Sequence, residues 1–185
     1  KELADLGDVF VNDAFGTAHR AHCSTAGIAK YLPAVSGFLI EKELKFLGEA
    51  VNNPRRPFVA IIGGSKVSDK ILVIKSLLDK VDTLLIGGGM SFTFFKAKGY
   101  EIGKSILDEK GVDVAKRVMR YADQKGVNLL LPTDIVCAKE FDNDSESVTV
   151  NADQIPVDMM GMDIGSNTRD IFKNEIKKAK AVIWN

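Results

Sequence analysis

Cysteine is scarce in this 185-residue chain: Cys23 and Cys137 lie far apart and form no CxxC. That excludes a disulfide-stapled scaffold and predicts free thiols in a reducing, cytoplasmic setting. Histidine is as scarce, with only His19 and His22, so neither cysteine sits in a metal-ligand constellation. No sign of charge dominates. Lysine plus arginine count 25 and aspartate plus glutamate 25, so no overall field favours nucleic acid or an anionic membrane, and any anion site must be local. No apolar run approaches the roughly 20 residues that a membrane span needs. Two phosphate signatures are also missing: there is no GxxxxGK[ST] loop and no GxGxxG fingerprint.

What is present suits a soluble core, with 45% hydrophobic and 27% charged residues. The length predicts one domain, or one domain plus a piece of another. Lys1 to Gly7 reads as the last turns of a helix with Gly7 as its C-cap, and Ala181 to Asn185 as a strand with no turn after it. Both ends look cut, so the chain is expected to be the middle of a longer protein.

The stretch that organises the chain is Phe58-Val59-Ala60-Ile61-Ile62-Gly63-Gly64-Ser65-Lys66-Val67-Ser68-Asp69-Lys70. Five apolar residues, three of them β-branched, predict a strand buried on both faces, as in a parallel sheet. The glycine pair lets the backbone turn, and Ser65 is expected to cap a helix whose apolar stripe is Val67, Ile71, Ile74, Leu78 and Val81. Lys66 and Lys70, four apart, lie on one face at the positive end of that helix, where free N–H groups attract anions. An anion between the two lysines is one reading. A solvated helix start, with Asp69 offsetting one lysine, is the other.

In chain order, Asp8 to Asp13 is a short strand and Ala14 to Ser24 a polar loop containing Arg20. Arg20 is either a ligand group beyond a strand end or a surface arginine paired with Asp13. Pro33 is expected to open a helix to about Val51, closed by Pro54 and Pro57; it reads as a domain connector or as an ordinary surface helix. The predicted division is 1–33, a connector at 34–54, and 55–185. From Phe58 onward strands and helices alternate: a helix from Lys66 to near Val81, strand Asp82 to Ile86, a helix after Gly87-Gly88-Gly89, and a helix from about Asp108 to Gln124 capped by Gly126. Strands follow on either side of Pro132, with a β-branched stretch at Val148 to Val150. Met159 to Gly165 reads as a loop, and Asn167 or Ser166 as the cap of a last helix. This alternation predicts an α/β fold with a parallel sheet. Gly64, Gly88, Gly89 and Asn185 each follow a buried strand, so they should gather at one carboxyl edge, which strengthens the anion reading.

Five segments, in register over essentially the whole chain, resemble phosphoglycerate kinases. They are Asn12-Asp13-Ala14-Phe15-Gly16-Thr17-Ala18-His19-Arg20-Ala21-His22, Gly63-Gly64-Ser65-Lys66-Val67-Ser68-Asp69-Lys70, Gly87-Gly88-Gly89-Met90-Ser91-Phe92-Thr93-Phe94, Leu131-Pro132-Thr133-Asp134 and Val182-Ile183-Trp184-Asn185. The resemblance implies Rossmann-like three-layer αβα architecture. Residues 1–33 would be the tail of a triose-phosphate-binding domain, 34–54 the connecting helix and linker, and 55–185 an incomplete nucleotide-binding domain.

It further implies that Arg20 grips the triose-phosphate side, Lys66 reaches the moving phosphoryl group, and Lys70 meets the nucleotide phosphates. Gly64, Gly88, Gly89 and Gly161 would bring backbone close to the nucleotide. Phe141 and Met162 would line the adenine pocket, and Asn185 would lie near the terminal phosphates. The implied reaction moves a phosphoryl group reversibly from 1,3-bisphosphoglycerate to MgADP, giving 3-phosphoglycerate and MgATP. The metal-serving Asp of the family belongs to a Gly-Gly-Asp-Thr-like segment not found here, so the chain alone is expected to be inactive and to supply no metal ligand. A monomeric glycolytic enzyme, with neither nucleic acid nor membrane as partner, is the expectation. A Rossmann-type NAD-dependent oxidoreductase and a non-catalytic nucleotide-binding module are the alternatives.

Overall fold

Phe10–Asn12 (β1) and Ala34–Ser36 (β2) lie side by side as a two-stranded parallel sheet. The second strand corrects the expectation of a helix opening at Pro33. The Pro33 carbonyl accepts the Phe10 N–H at 2.9 Å, which holds the next residues extended. The helix Phe38–Asn52 (α1) starts only after Gly37, and what fixes its start is Asp13, whose Oδ1 accepts the Ile40 N–H at 3.0 Å. A Cβ on Gly37 would collide with that carboxylate. No residue of α1 is buried, although Leu39, Leu44 and Leu47 recur at helical spacing. Near the start of the chain only Ala4–Leu6 make a 3-10 turn, and Gly7 is extended at φ −166° rather than a left-handed C-cap.

The computed structural model describes residues 1–185, and they divide into two units, Lys1–Asn53 and Pro54–Asn185. The second unit is built on a parallel sheet of Phe58–Ile62 (β3), Thr83–Ile86 (β4), Asn128–Leu130 (β5) and Ala181–Trp184 (β9), ordered β5-β4-β3-β9. Alternate residues of these strands face opposite layers, as the pleat requires. Phe58, Ala60, Ile62, Leu84 and Ile86 bury against Val67–Leu78 (α2), Met90–Ala97 (α3) and Val112–Lys125 (α4). Val59 and Leu85 bury on the other side against Phe172 of Ser166–Lys178 (α5). The fold is therefore α/β with helices on both faces of a parallel sheet, as expected.

A second sheet was not expected. Asp134–Ala138 (β6) pairs antiparallel with both Ser147–Asn151 (β7) and Met160–Ile164 (β8), so the Met159 to Gly165 stretch is mostly a strand rather than a loop. Its apolar residues pack with Phe92 and Phe95 of α3 in a core of their own.

Helix α5 also departs from expectation at its start. Neither Ser166 nor Asn167 caps it; the preceding residue is Gly165. Asp134, buried at the head of β6, accepts the Asn167 N–H at 2.9 Å, the Thr168 N–H at 2.7 Å and the Thr168 hydroxyl. A side chain on Gly165 would collide with this carboxylate. Burial pushes the Asp134 pKa up, but the hydrogen bonds from Thr168 and Asn167 outweigh it and the net shift is downward. A carboxyl whose folded pKa is depressed stabilises fully above its unfolded value of about 3.9, and that stabilisation is lost as pH falls through the folded value. Asp134→Ala should cost roughly 2–4 kcal/mol, from a lost cap that leaves the buried Thr168 N–H without its acceptor. Chemical unfolding followed at neutral pH and again in acid should show the gap to wild type narrowing as the pH falls.

Candidate functional site

The carboxyl ends of β3, β4 and β9 end in glycine-rich or polar turns that meet at one edge. Strand order turns back at β3: β4 lies on one side of it, β9 on the other, with their helices on opposite faces. Such switch points leave a crevice outside the strand ends where open α/β sheets bind ligands. Gly63 donates its N–H to the Asn185 carbonyl at 2.9 Å, and Asn185 donates to Ile61 at 2.9 Å, so the end of β9 is zipped to the end of β3. The second turn is laid on the first. The Gly64 carbonyl accepts the Met90 N–H at 2.7 Å, and a Cβ on Gly88 would sit 3.0 Å from the Gly64 nitrogen. Gly64 at φ 120° and Gly88 at φ 64° adopt backbone conformations that only glycine holds without strain.

Lys66 ends the turn and precedes the first residue of α2; its ammonium is exposed and takes part in no ion pair. Ser65 does not cap α2. Asp108, forty residues away, does so by accepting the Ser68 N–H at Oδ2, 2.9 Å away, and the Gly111 N–H at Oδ1, 3.1 Å away. The Ser68 amide holds the Asp108 carboxyl below the usual carboxylate range, helped by Gly111 and the charge of Lys66 and opposed by burial. The helix ends at Leu78, so Val81 packs from the following turn. Lys70, one turn in, places its ammonium on the Asn185 side-chain oxygen and its Cε 3.5 Å from where a Gly64 Cβ would be.

Gly64, Lys70, Gly88, Gly89 and Asn185 are thus brought together, with Lys66 at the end of the same turn. Phe141 and Met162 share a shallow recess of about 260 Å³ with Asp142 and Asn143. Gly161 has an internal reason to lack a side chain: a Cβ would overlap the Phe92 ring, and its N–H is held by Ser105 Oγ at 2.8 Å. Arg20, in the first unit, is exposed, and Asp13, its expected surface partner, is engaged with α1 instead. A mostly apolar recess of about 450 Å³ borders the switch point, lined by Gly63, Gly87, Gly88, Leu85, Phe172 and Trp184. A larger one of about 640 Å³, lined by Lys98, Tyr100, Asp123 and Asn151, contains none of the strand-end glycines or the two lysines. The turns, not cavity size, place the site.

The loop before α4 was missed as a part of it. Ile106, half-exposed, lies where a Cβ on Gly89 would come within 2.8 Å of its Cγ2. Nothing local in Ser105-Ile106-Leu107-Asp108 marks such a role. No group of three or more His, Cys, Asp or Glu side chains converges to cage a metal ion. The lysines, glycine amides and Asn185 are donors, a set that fits phosphate oxygens.

Comparison with known proteins fits this geometry. The sequence model of the phosphoglycerate kinase family matches residues 1–185. The chain belongs to the phosphoglycerate kinase family. It is 60% identical to a phosphoglycerate kinase of Clostridium botulinum (strain Loch Maree / Type A3), over all of this chain and 47% of that protein. It is 55% identical to the one of Chlorobium phaeobacteroides (strain BS1), with the same coverage. Among solved structures, phosphoglycerate kinase from Coxiella burnetii superposes with a TM-score of 0.88 at 43% identity, covering 99% of this chain and 47% of that one. The chain spans about half the length of the curated relatives it matches.

The Phe92 contact generates a test within the family fold. Gly161→Ala should destabilise by about 1–3 kcal/mol through overpacking. Adding Phe92→Leu should restore part of that loss in urea unfolding. No recovery in the double variant would mean that Gly161 is required for another reason.

Proposed function

We propose that the full-length protein containing this chain catalyses reversible phosphoryl transfer between the acyl phosphate of 1,3-bisphosphoglycerate and ADP, giving 3-phosphoglycerate and ATP. The observation that carries this is the pair Lys66 and Lys70 at a glycine turn on the switch point, with Lys70 touching Asn185. Phosphoryl transfer asks a protein mainly for positioning and for positive charge on the moving group's oxygens, which such a turn supplies. In this reading the Gly64, Gly88 and Gly89 backbone admits the nucleotide, and Phe141 and Met162 border its base. Asn185 orients Lys70 toward phosphates that stay charged throughout. Lys66, free of any partner, meets charge that develops as the P–O bond to the acyl group breaks and the bond to the nucleotide oxygen forms. Arg20 holds the triose phosphate.

Magnesium, arriving with the nucleotide, would neutralise phosphate charge; this chain offers no carboxylate cage for it and no step here runs through it. We place the protein in the cytoplasm as a monomer, where Cys23 and Cys137 remain reduced. No helix is long and apolar enough to cross a membrane. The oxidoreductase alternative finds no support in the family match, and a nucleotide-binding module without catalysis would bind ADP in the full-length protein and transfer nothing.

Two sets of variants in the full-length protein test the roles. Arg20→Ala should weaken 3-phosphoglycerate binding by about 1.5–3 kcal/mol, the value of a charge-assisted contact, and leave ADP binding nearly unchanged in calorimetry. Equal losses for both ligands would place Arg20 wrongly.

Lys66→Ala should lower kcat by roughly 10²-fold, the scale of losing one preorganised donor, while Lys70→Ala should act mainly on nucleotide KM. Steady-state kinetics with circular dichroism to verify folding separates them. A dead Lys70→Ala beside a normal Lys66→Ala would reverse the roles, and two normal variants would move the anion site elsewhere.

A further inference from the structure

One segment, Gly103 to Gly111, joins β8, the Gly89 turn, α3 and the start of α2. Lys104 donates its N–H to the Met159 carbonyl at 2.8 Å, and Ser105 Oγ accepts the Gly161 N–H at 2.8 Å, which fastens the segment to β8. Ile106 fills the space against Gly89. The Asp108 N–H is held by the buried Thr93 hydroxyl of α3 at 3.2 Å. Its carboxylate then reaches α2, with Oδ2 on Ser68 and Oδ1 on Gly111, and a Cβ on Gly111 would come within 2.5 Å of Oδ2.

The consequence falls on Lys66. Ser68 is two residues after Lys66, and α2 has no cap of its own, so the Asp108 contact is what fixes the first turn of the helix. Lys66 has an extended backbone at φ −118° and ψ 127° immediately before that turn, and its ammonium has no other tether. We propose that Asp108 is a positioning residue for phosphoryl transfer, its carboxylate locking the first turn of α2 and thereby aiming Lys66. The proposal rests on the phosphoryl-transfer reading above. Both carboxylate oxygens are engaged by backbone amides, so Asp108 cannot swing over to pair with Lys66 and withdraw it from an incoming phosphoryl group.

An amide at this position has one acceptor oxygen in place of two, so either Ser68 or Gly111 loses its partner. It also removes a negative charge beside the phosphate site, which favours anion binding. Asp108→Asn in the full-length protein should therefore lower kcat about tenfold, the kind of loss that slight misplacement of a group causes, with nucleotide KM unchanged or lower. The deciding measurement is the same substitution in a Lys66→Ala background. There it should change kcat less than about twofold, because the group that it aims is gone. A tenfold fall in both backgrounds would show that Asp108 acts through stability alone, and a wild-type kcat for Asp108→Asn would overturn the proposal directly. If Asp108→Asn does not fold, Thr93→Val removes the acceptor of the Asp108 N–H and so loosens the backbone that carries the same carboxylate. A folded Thr93→Val is expected to show a lowered kcat in the wild-type background only; a wild-type kcat would overturn the proposal. An inactive wild-type protein or a neutral Lys66→Ala would instead overturn the phosphoryl-transfer reading or the role of Lys66.

Discussion

None of the five α-helices in this chain has a side-chain cap of its own, and three of them are held at their starts by an aspartate from elsewhere. Asp13 holds α1, Asp108 holds α2 and Asp134 holds α5, from 27, 40 and 33 residues away. A helix start leaves N–H groups unpaired and carries positive potential, so a carboxylate is the strongest acceptor that it can be given. A carboxylate brought from a distant element does more than a local serine. It ties the helix start to a second piece of backbone and sets where the turn before the helix can lie. Gly37, Gly111 and Gly165 leave room for the three carboxylates, since a Cβ at any of these positions would run into one of them.

That arrangement explains what the sequence revealed and what it hid. Buried strands, the Gly126 C-cap and the parallel sheet are local or periodic features, and Phe58–Ile62 and Thr83–Ile86 could be read directly from runs of apolar residues. Helix starts could not. Ser65, Ser166 and Asn167 are good caps by type, but each lost its place to an acceptor that no window of neighbouring residues contains. The strand Met160–Ile164 was hidden for a similar reason. Its glycine and methionines carry no β signal, and it is a strand because Asp134–Ala138 pairs with it.

The site divides along the same line. Gly64, Lys70, Gly88, Gly89 and Asn185 could be grouped before any coordinates, because each is placed by the end of a parallel strand or the first turns after it, and parallel strands share a carboxyl edge. Ile106 and Asp108 could not, since they sit on an irregular segment whose position depends on tertiary contacts with Gly161, Gly89 and Thr93. Gly161 is the caution in the other direction. A glycine can belong to a family motif and still owe its lack of a side chain to a neighbouring ring.

The electrostatics of the turn follow from how its charges are held. Lys66 and Lys70 would repel each other and the helix dipole if nothing offset them. The structure offsets them unequally. Lys70 rests on a neutral amide, Asn185, which orients its ammonium without cancelling its charge. Lys66 feels the charge of Asp108, but that carboxylate is bound to two backbone amides and cannot follow the lysine. A mobile counter-ion would have to be displaced before an anion could bind, at the cost of breaking an ion pair. A fixed one leaves the exposed Lys66 ammonium outside any ion pair. The same aspartate thus offsets the charge of Lys66 without being free to follow it.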